Sequence, residues 1–288
     1  MKKIYLKEVI FGFLMFTGFS QAAALAQEET VQREFDISQP GTAFTLIVDN
    51  IWGSVHVKGI SGNSVKAAIH KTIEARSDEQ MQRALEEVTL DITEEDSLLE
   101  FYVDGPFRDR HHKRHRQDQK ERKYRVVYEF ELEIPRTISV DIRTVNDGDI
   151  LIENVWGNYD VSNINGAIKM TGVRSSGNAY ALNGDLLCYF DRNPLKDCTF
   201  GSLNGDVKLY FQQPLSAEFA MKTFNGDAFS DFELTYVPSD PEIIRENNGK
   251  TVYKCVHRYH ARSGHEGPVI QLDGFNGDLL ILKNRKGV

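Results

Sequence analysis

From residue 140 onward, apolar side chains occupy every second position over short runs, and each run opens on a glycine. The runs read VNDGDILI (145–152), INGAIKM (164–170), LNGDLLC (182–188), LNGDVKL (203–209), FNGDAFS (224–230) and FNGDLLI (275–281). Counted from the glycine, the second and fourth positions hold Ile150 and Ile152, Ile168 and Met170, Leu186 and Cys188, Val207 and Leu209, and Leu279 and Ile281. A period of two is that of a strand with one face turned inward. Ala228 and Ser230 break the pattern. The residue before each Asn is apolar as well: Ile164, Leu182, Leu203, Phe224 and Phe275.

Gly148, Gly166, Gly184, Gly205, Gly226 and Gly277 are separated by 18, 18, 21, 21 and 51 residues, the last gap being one period plus an insert. Asn-Gly makes the corner, because glycine takes positive φ freely and asparagine tolerates it. Asn146, Asn165, Asn183, Asn204, Asn225 and Asn276 are therefore structural turns, together with their glycines and with Gly157. Two architectures use such corners: an antiparallel meander of hairpins, or a β-solenoid in which each unit is one coil stacked about 4.8 Å from the next. The fixed period favours the mainly β, solenoid or β-helix-like fold. Stacking equivalent aliphatics fills a continuous core, and stacked Asn amides can bond in a ladder.

The phrases DNIWGSVHV (49–57) and ENVWGNYDV (153–161) hold the chain's two tryptophans. Gly148, Gly157 and Gly166 are nine apart, and Gly53 and Gly62 repeat that step, so Trp52-Gly53 and Trp156-Gly157 are expected to form the same corner in two coils. Between them Ser77 and Gln80 make a capping box ahead of a Met81, Ala84, Leu85, Val88 stripe, which predicts one short helix. Strands are predicted over 98–103 and 124–134. One β-repeat domain over 27–288 follows, with N-terminal strands 34–74, helix and basic insert 75–123, coils 124–235, an insert 236–269 and a last coil 270–288.

Residues 1–26 read as a signal peptide: Lys2, Lys3 and Lys7 precede an apolar run and the small residues Ala24-Leu25-Ala26. That run is too short to span a bilayer. The expected product is exported, periplasmic or extracellular at the cell surface, with no transmembrane segment after cleavage. The formal charge of −8 becomes −10 when three lysines and one glutamate leave with the signal, which speaks against nucleic acid as a partner. Three cysteines, Cys188, Cys198 and Cys255, are too few for a disulfide framework. Cys188 falls at an inward position and is expected to be a buried free thiol.

FELEIPRTISVDIRTVNDGDILIENVWGNYDVSNINGAIKM, the NGD repeats after it, and FDISQPGTAFTLIVDNIWGSVHVKGISGNSVKAAIHKT resemble the exported bacterial putative-adhesin family with DUF4097-type β-strand repeats. The resemblance covers about residues 34–74 and 124–284. It implies a β-solenoid-like, non-catalytic envelope or surface protein; the expected partner is a protein or glycan at the cell envelope, and no cofactor is expected. The helix and the two inserts depart from the plain repeat.

Three constellations carry candidate chemistry. Asp149, Asp185, Asp206, Asp227 and Asp278 follow the glycines, and in a stack neighbouring carboxylates repel by roughly 0.9 kcal/mol per pair in water. A calcium ion on Asp185, Asp206 and Asp227 would offset that. The spacing differs from the calcium nonapeptide and Ala167 interrupts the column, so turn chemistry with no metal is expected, each Asp accepting an N–H at its own corner. The basic stretch 108–125 offers Arg108, Arg110, Lys113, Arg114, Arg116, Lys120, Arg122 and Lys123 as a contact for a polyanion, or simply a solvated loop. Its His111 and His115 have the i, i+4 spacing of a metal pair on a helix, but the flanking cations oppose a dication; Cys255, His257, His260 and His265 of the second insert have ligand types without a standard zinc spacing. No nucleophile elbow, His-Glu-x-x-His or phosphate loop is present, so no catalytic residue is assigned. The rival readings are a β-solenoid polysaccharide lyase or hydrolase and an envelope-stress signalling partner.

Overall fold

The computed structural model describes residues 2–4, 25–106, 108, 124–238, 243–245, 251–253 and 258–285. The signal-peptide expectation thus falls mostly outside the described residues. No described helix is long and apolar enough to cross a membrane. The chain is mainly β and divides into two compact units, residues 1–155 and 156–288.

In the first unit one sheet runs in the order β1 (Lys2–Ile4), β6 (Thr89–Glu95), β7 (Leu98–Asp104), β3 (Thr45–Asp49), β9 (Ser139–Thr144). The other runs β10 (Ile150–Glu153), β4 (Val55–Ile60), β8 (Tyr124–Pro135), β5 (Ser64–Ala75), β2 (Leu25–Asp36). The repeat strands pair in parallel, β7 with β3 and β3 with β9, and β10 with β4 and β4 with β8. Long antiparallel strands β5 and β2 extend the second sheet. Phe101 of one sheet meets Phe130 of the other edge-on, ring centroids 6.0 Å apart, and Phe35 joins them at 5.8 Å. Burying such a ring contributes roughly 1.5–3 kcal/mol.

The predicted helix is α1, Asp78–Glu87. Ser77 caps it by accepting the Gln80 N–H, and the Gln80 side chain accepts from the Arg76 N–H. Met81 and Ala84 are buried along its stripe.

In the second unit one sheet begins with parallel strands β11 (Tyr159–Asn165), β13 (Gly177–Asn183), β15 (Cys198–Asn204), β23 (Val269–Asn276) and β17 (Ala217–Lys222). The antiparallel pair β22 (Tyr259–Ser263) and β19 (Thr235–Tyr236) completes it. The opposite sheet holds β12 (Ile168–Val173), β14 (Leu186–Phe190), β16 (Val207–Phe211), β24 (Leu279–Lys283) and β18 (Ala228–Ser230), all parallel. A hairpin of β20 (Ile243–Arg245) and β21 (Thr251–Tyr253) stands apart. Each Asn-Gly carries the chain from one sheet to the other, so the meander is excluded. Leu186 pairs with Ile168 on one side and Val207 on the other, and Cys188 lies between Met170 and Leu209. Cys188 and Cys198 are buried free thiols.

The stacking order differs from the chain order. The last turn, β23 and β24, lies between the turn of β15 and β16 and the turn of β17 and β18. The reason is legible in the side chains. Leu279 and Ile281 can be sandwiched on both sides, and they are buried. Ala228 and Ser230 are too small and too polar for an interior layer, and they take the exposed end.

Candidate binding surfaces

The corners of the second unit form one hydrogen-bonded row. The Asn183 amide donates to Asn165 Oδ1 at 2.8 Å, Asn204 to Asn183 at 2.7 Å, Asn276 to Asn204 at 2.7 Å and Asn225 to Asn276 at 2.8 Å. Amide-to-amide bonding needs each backbone to sit directly on the next, and the glycines make that possible. A Cβ on Gly184 would lie 2.3 Å from the Gly166 carbonyl oxygen, one on Gly205 2.3 Å from that of Gly184, one on Gly277 2.1 Å from that of Gly205, and one on Gly226 2.0 Å from that of Gly277. Of these four, Gly205 and Gly277 take positive φ. Close approach of stacked backbones, rather than the left-handed turn expected from sequence, is what all four share.

The aspartates following these glycines are held by the stack, not each by its own corner. Asp185 accepts the Asp206 N–H, Asp206 the Asp278 N–H and Asp278 the Asp227 N–H, each at 2.9 Å. Lys208 Nζ lies 2.9 Å from Asp206 and 3.5 Å from Asp185. The Lys208 ammonium, and then the Asp278 N–H, hold the Asp206 carboxyl below the usual carboxylate range, and Asp206 raises Lys208 in turn. Backbone donors and a lysine thus offset the repulsion between the stacked carboxylates. No cluster of three metal-ligating side chains occurs among the described residues.

Outside this row lies an apolar stripe. Ile164 is 38%, Phe275 43% and Phe224 72% exposed, with Leu182 and Leu203 half-buried between them. The Phe224 and Phe275 rings stack at 5.0 Å, nearly parallel. Tyr180, 40% exposed, lies two residues before Leu182. The sequence shows this column, but not that it faces outward.

The two tryptophan phrases do not form the same corner. Val55 and Val57 pair with Ile150 and Ile152, and Trp52 bridges to Asn146, so Trp52-Gly53 stacks on the Asn146–Gly148 corner. A Cβ on Gly148 would lie 2.1 Å from the Gly53 carbonyl carbon. Trp156-Gly157 instead precedes β11, where the Arg174 guanidinium lies 3.8 Å from the Trp156 ring centre. Flanking-strand register, not the shared letters, decides which corner a phrase occupies. Sequence reasoning also missed Asn50. It is fully buried, its amide donating to the carbonyls of Trp52, Gly53 and Tyr128 while its oxygen accepts the Ile51 N–H. The only signal was an Asn placed two before a Trp-Gly.

Of the eight candidate polyanion contacts, Arg108 is described and Arg110, Lys113, Arg114, Arg116, Lys120, Arg122 and Lys123 lie outside the described residues. Arg108 is turned inward, 2.7 Å from Asp49, donating to the Asp49 and Asn50 carbonyls and stacked over Tyr102. His111, His115, Cys255 and His257 also lie outside. His260 pairs with Glu218 on β17 at 3.5 Å, and the His265 N–H donates to Ser216 Oγ, so these two are used separately.

On the outer face of the first unit a groove of about 650 Å3 runs across β2, β5, β8 and β4. One cross-strand row reads Glu34, Lys66, Glu133, Lys58, Glu153, and the next reads Gln32, Ala68, Glu131, His56, Leu151. The small Ala68 makes the depression. His56 Nε2 lies 3.1 Å from Glu153.

The sequence matches no family model and no curated protein. Three solved structures align over most of the chain. A putative cell adhesion protein from Clostridium sporogenes ATCC 15579 is 8% identical, with a TM-score of 0.44 over 90% of this chain and 100% of that one. A putative adhesin from Bacteroides fragilis NCTC 9343 is 8% identical, with a TM-score of 0.38 over 88% and 96%. A putative lipid binding protein from Parabacteroides distasonis ATCC 8503 is 12% identical, with a TM-score of 0.25 over 89% and 97%.

Proposed function

We propose that this chain is an exported, non-catalytic envelope or surface protein: an adhesin-like scaffold of β-solenoid coils, of the DUF4097-type repeat class, that binds a protein or glycan. The observation that carries this reading is the stripe of Ile164, Leu182, Leu203, Phe275 and Phe224 beside the Asn row. The core of the second unit is already built by the inward columns, so an apolar residue at the outer corner of every turn has no packing role there. Contiguous exposed apolar surface rimmed by polar groups marks interaction sites. Aromatic faces and amide rows at one regular spacing suit an extended, repetitive ligand.

The test is retention on isolated cell-envelope material. Replacing Phe224 and Phe275 together by Asp should lower retention at least tenfold while leaving the thermal melt unchanged. Unaltered retention removes the stripe as the binding face. A glycan-degrading enzyme is the second reading, and the groove with Glu131, Glu133 and His56 supports it. Release of reducing ends from acidic polysaccharides, abolished by Glu131→Gln or Glu133→Gln, would replace the binding reading with that one.

A further inference from the structure

Inside the first unit the inward face of β2, β5 and β8 turns polar on β2 at Gln27 and Glu29, and across all three strands in the row of Glu29. Val31, Ile69 and Phe130 form an apolar row, and Ile73 and Val126 are buried one row further on. Between them the row reads Glu29, Lys71, Tyr128: a carboxylate, an ammonium and a phenol where the alternation calls for aliphatic side chains. These groups line a pocket of about 360 Å3 under α1, walled by Val31, Ile69, Leu85, Val88 and Leu90, with Asp91 also at its edge.

The polar groups of this pocket are not satisfied by one another. Lys71 Nζ lies 5.4 Å from the centre of the Tyr128 ring. Among the described residues, neither that ammonium, the Tyr128 hydroxyl, nor the carboxylates of Glu29 and Asp91 has a hydrogen-bond or ion-pair partner. Burial lowers the Lys71 ammonium from the ordinary lysine range, with Glu29 opposing. Burial, then Glu29 and Asp91, raise the Tyr128 phenol, and all three groups line the same pocket. Lys71, Glu29 and Asp91 are each partly open to solvent, so their charges are hydrated and stand free to exchange water for a ligand. Ligand pockets are built this way, with apolar walls and a few convergent polar groups, and this volume is at the small end of their range.

We propose that this pocket binds a small zwitterion with an apolar body, the class of an apolar α-amino acid. The ligand carboxylate accepts from Lys71 and Tyr128, its ammonium donates to Glu29 and Asp91, and its side chain packs on Leu85, Val88 and Leu90. A ligand carrying only one of the two charges leaves half of the pocket's polar groups unpaired. The mixed signs therefore select for a zwitterion over a fatty acid or an alkylamine.

Isothermal titration of the full chain with leucine and with phenylalanine tests this, with 4-methylpentanoate and isoamylamine as single-charge controls. Saturable binding of at least one amino acid is expected, with both controls at least tenfold weaker. Lys71→Met should lower affinity at least tenfold without lowering the melting temperature, because it removes a charge that burial disfavours. Leu85→Trp, which fills the pocket and keeps its charges, should do the same to binding. No saturable binding of either amino acid at millimolar concentration would overturn the proposal. So would equal binding of a control, or undiminished affinity in both variants.

Discussion

Asn50 in the first unit and Asn183 in the second both serve a corner, and they depend on their surroundings in opposite ways. Asn50 is sealed in and saturated by backbone groups from its own turn and from β8. Asn183 is exposed, and its two partners are asparagines like itself. Water can replace a lost bond on the ladder. At Asn50 the bonds to the Gly53 and Tyr128 carbonyls are buried, so water replaces them poorly and a desolvation penalty is felt. A repeat distributes its stability over many equivalent weak contacts, whereas an irregular corner concentrates it in one residue.

The sharpest way to break the regular side of that comparison is at its glycines, not its asparagines. Gly205→Ala puts a Cβ 2.3 Å from the Gly184 carbonyl oxygen at a φ of 159°, and backbone cannot move aside cheaply there. A loss of about 3 kcal/mol is expected in urea unfolding. Gly62→Ala, at a φ of 144° with nothing near the added carbon, should cost clearly less, which separates clash from dihedral strain. Next in size is the asparagine pair. Asn50→Ala should cost about 2 kcal/mol and Asn183→Ala about 0.5 kcal/mol, and equal losses would show that the two corners depend on their asparagines alike.

The smallest effect concerns the aspartate column. Asp206 is held low, so its contribution is present above the ordinary carboxylate pKa of about 4 and is lost as pH falls through the depressed value. Lys208 is held high, so its contribution is complete below about pH 10.4 and is lost as pH rises through the raised value. Both groups are partly solvated, so Lys208→Met should flatten the two limbs of the stability profile by less than about 1 kcal/mol. A variant profile that superimposes on the wild type would show that the backbone N–H groups alone offset the carboxylates.

Strand type, one inward face, the capped helix at Asp78–Glu87 and the parallel register of Leu186 on Ile168 and Val207 were all legible in the order of residues, because each rests on a period or a cap a few residues long. The Asn row was legible too, since stacking follows from the period. The outward aim of Phe224 and Phe275 was not, because an apolar letter beside a corner reads the same on either face. Nor was the pocket, since Glu29, Lys71 and Tyr128 are brought side by side only by antiparallel pairing of distant strands.

By itself, then, the sequence determined that turns of 18 to 21 residues stack, and that glycine and asparagine mark where the chain bends. Only the tertiary structure decided the order of the stack. Local pattern specifies how a turn is shaped, but which turn lies on which depends on what each can bury, and Leu279 and Ile281 fill an interior layer that Ala228 and Ser230 cannot.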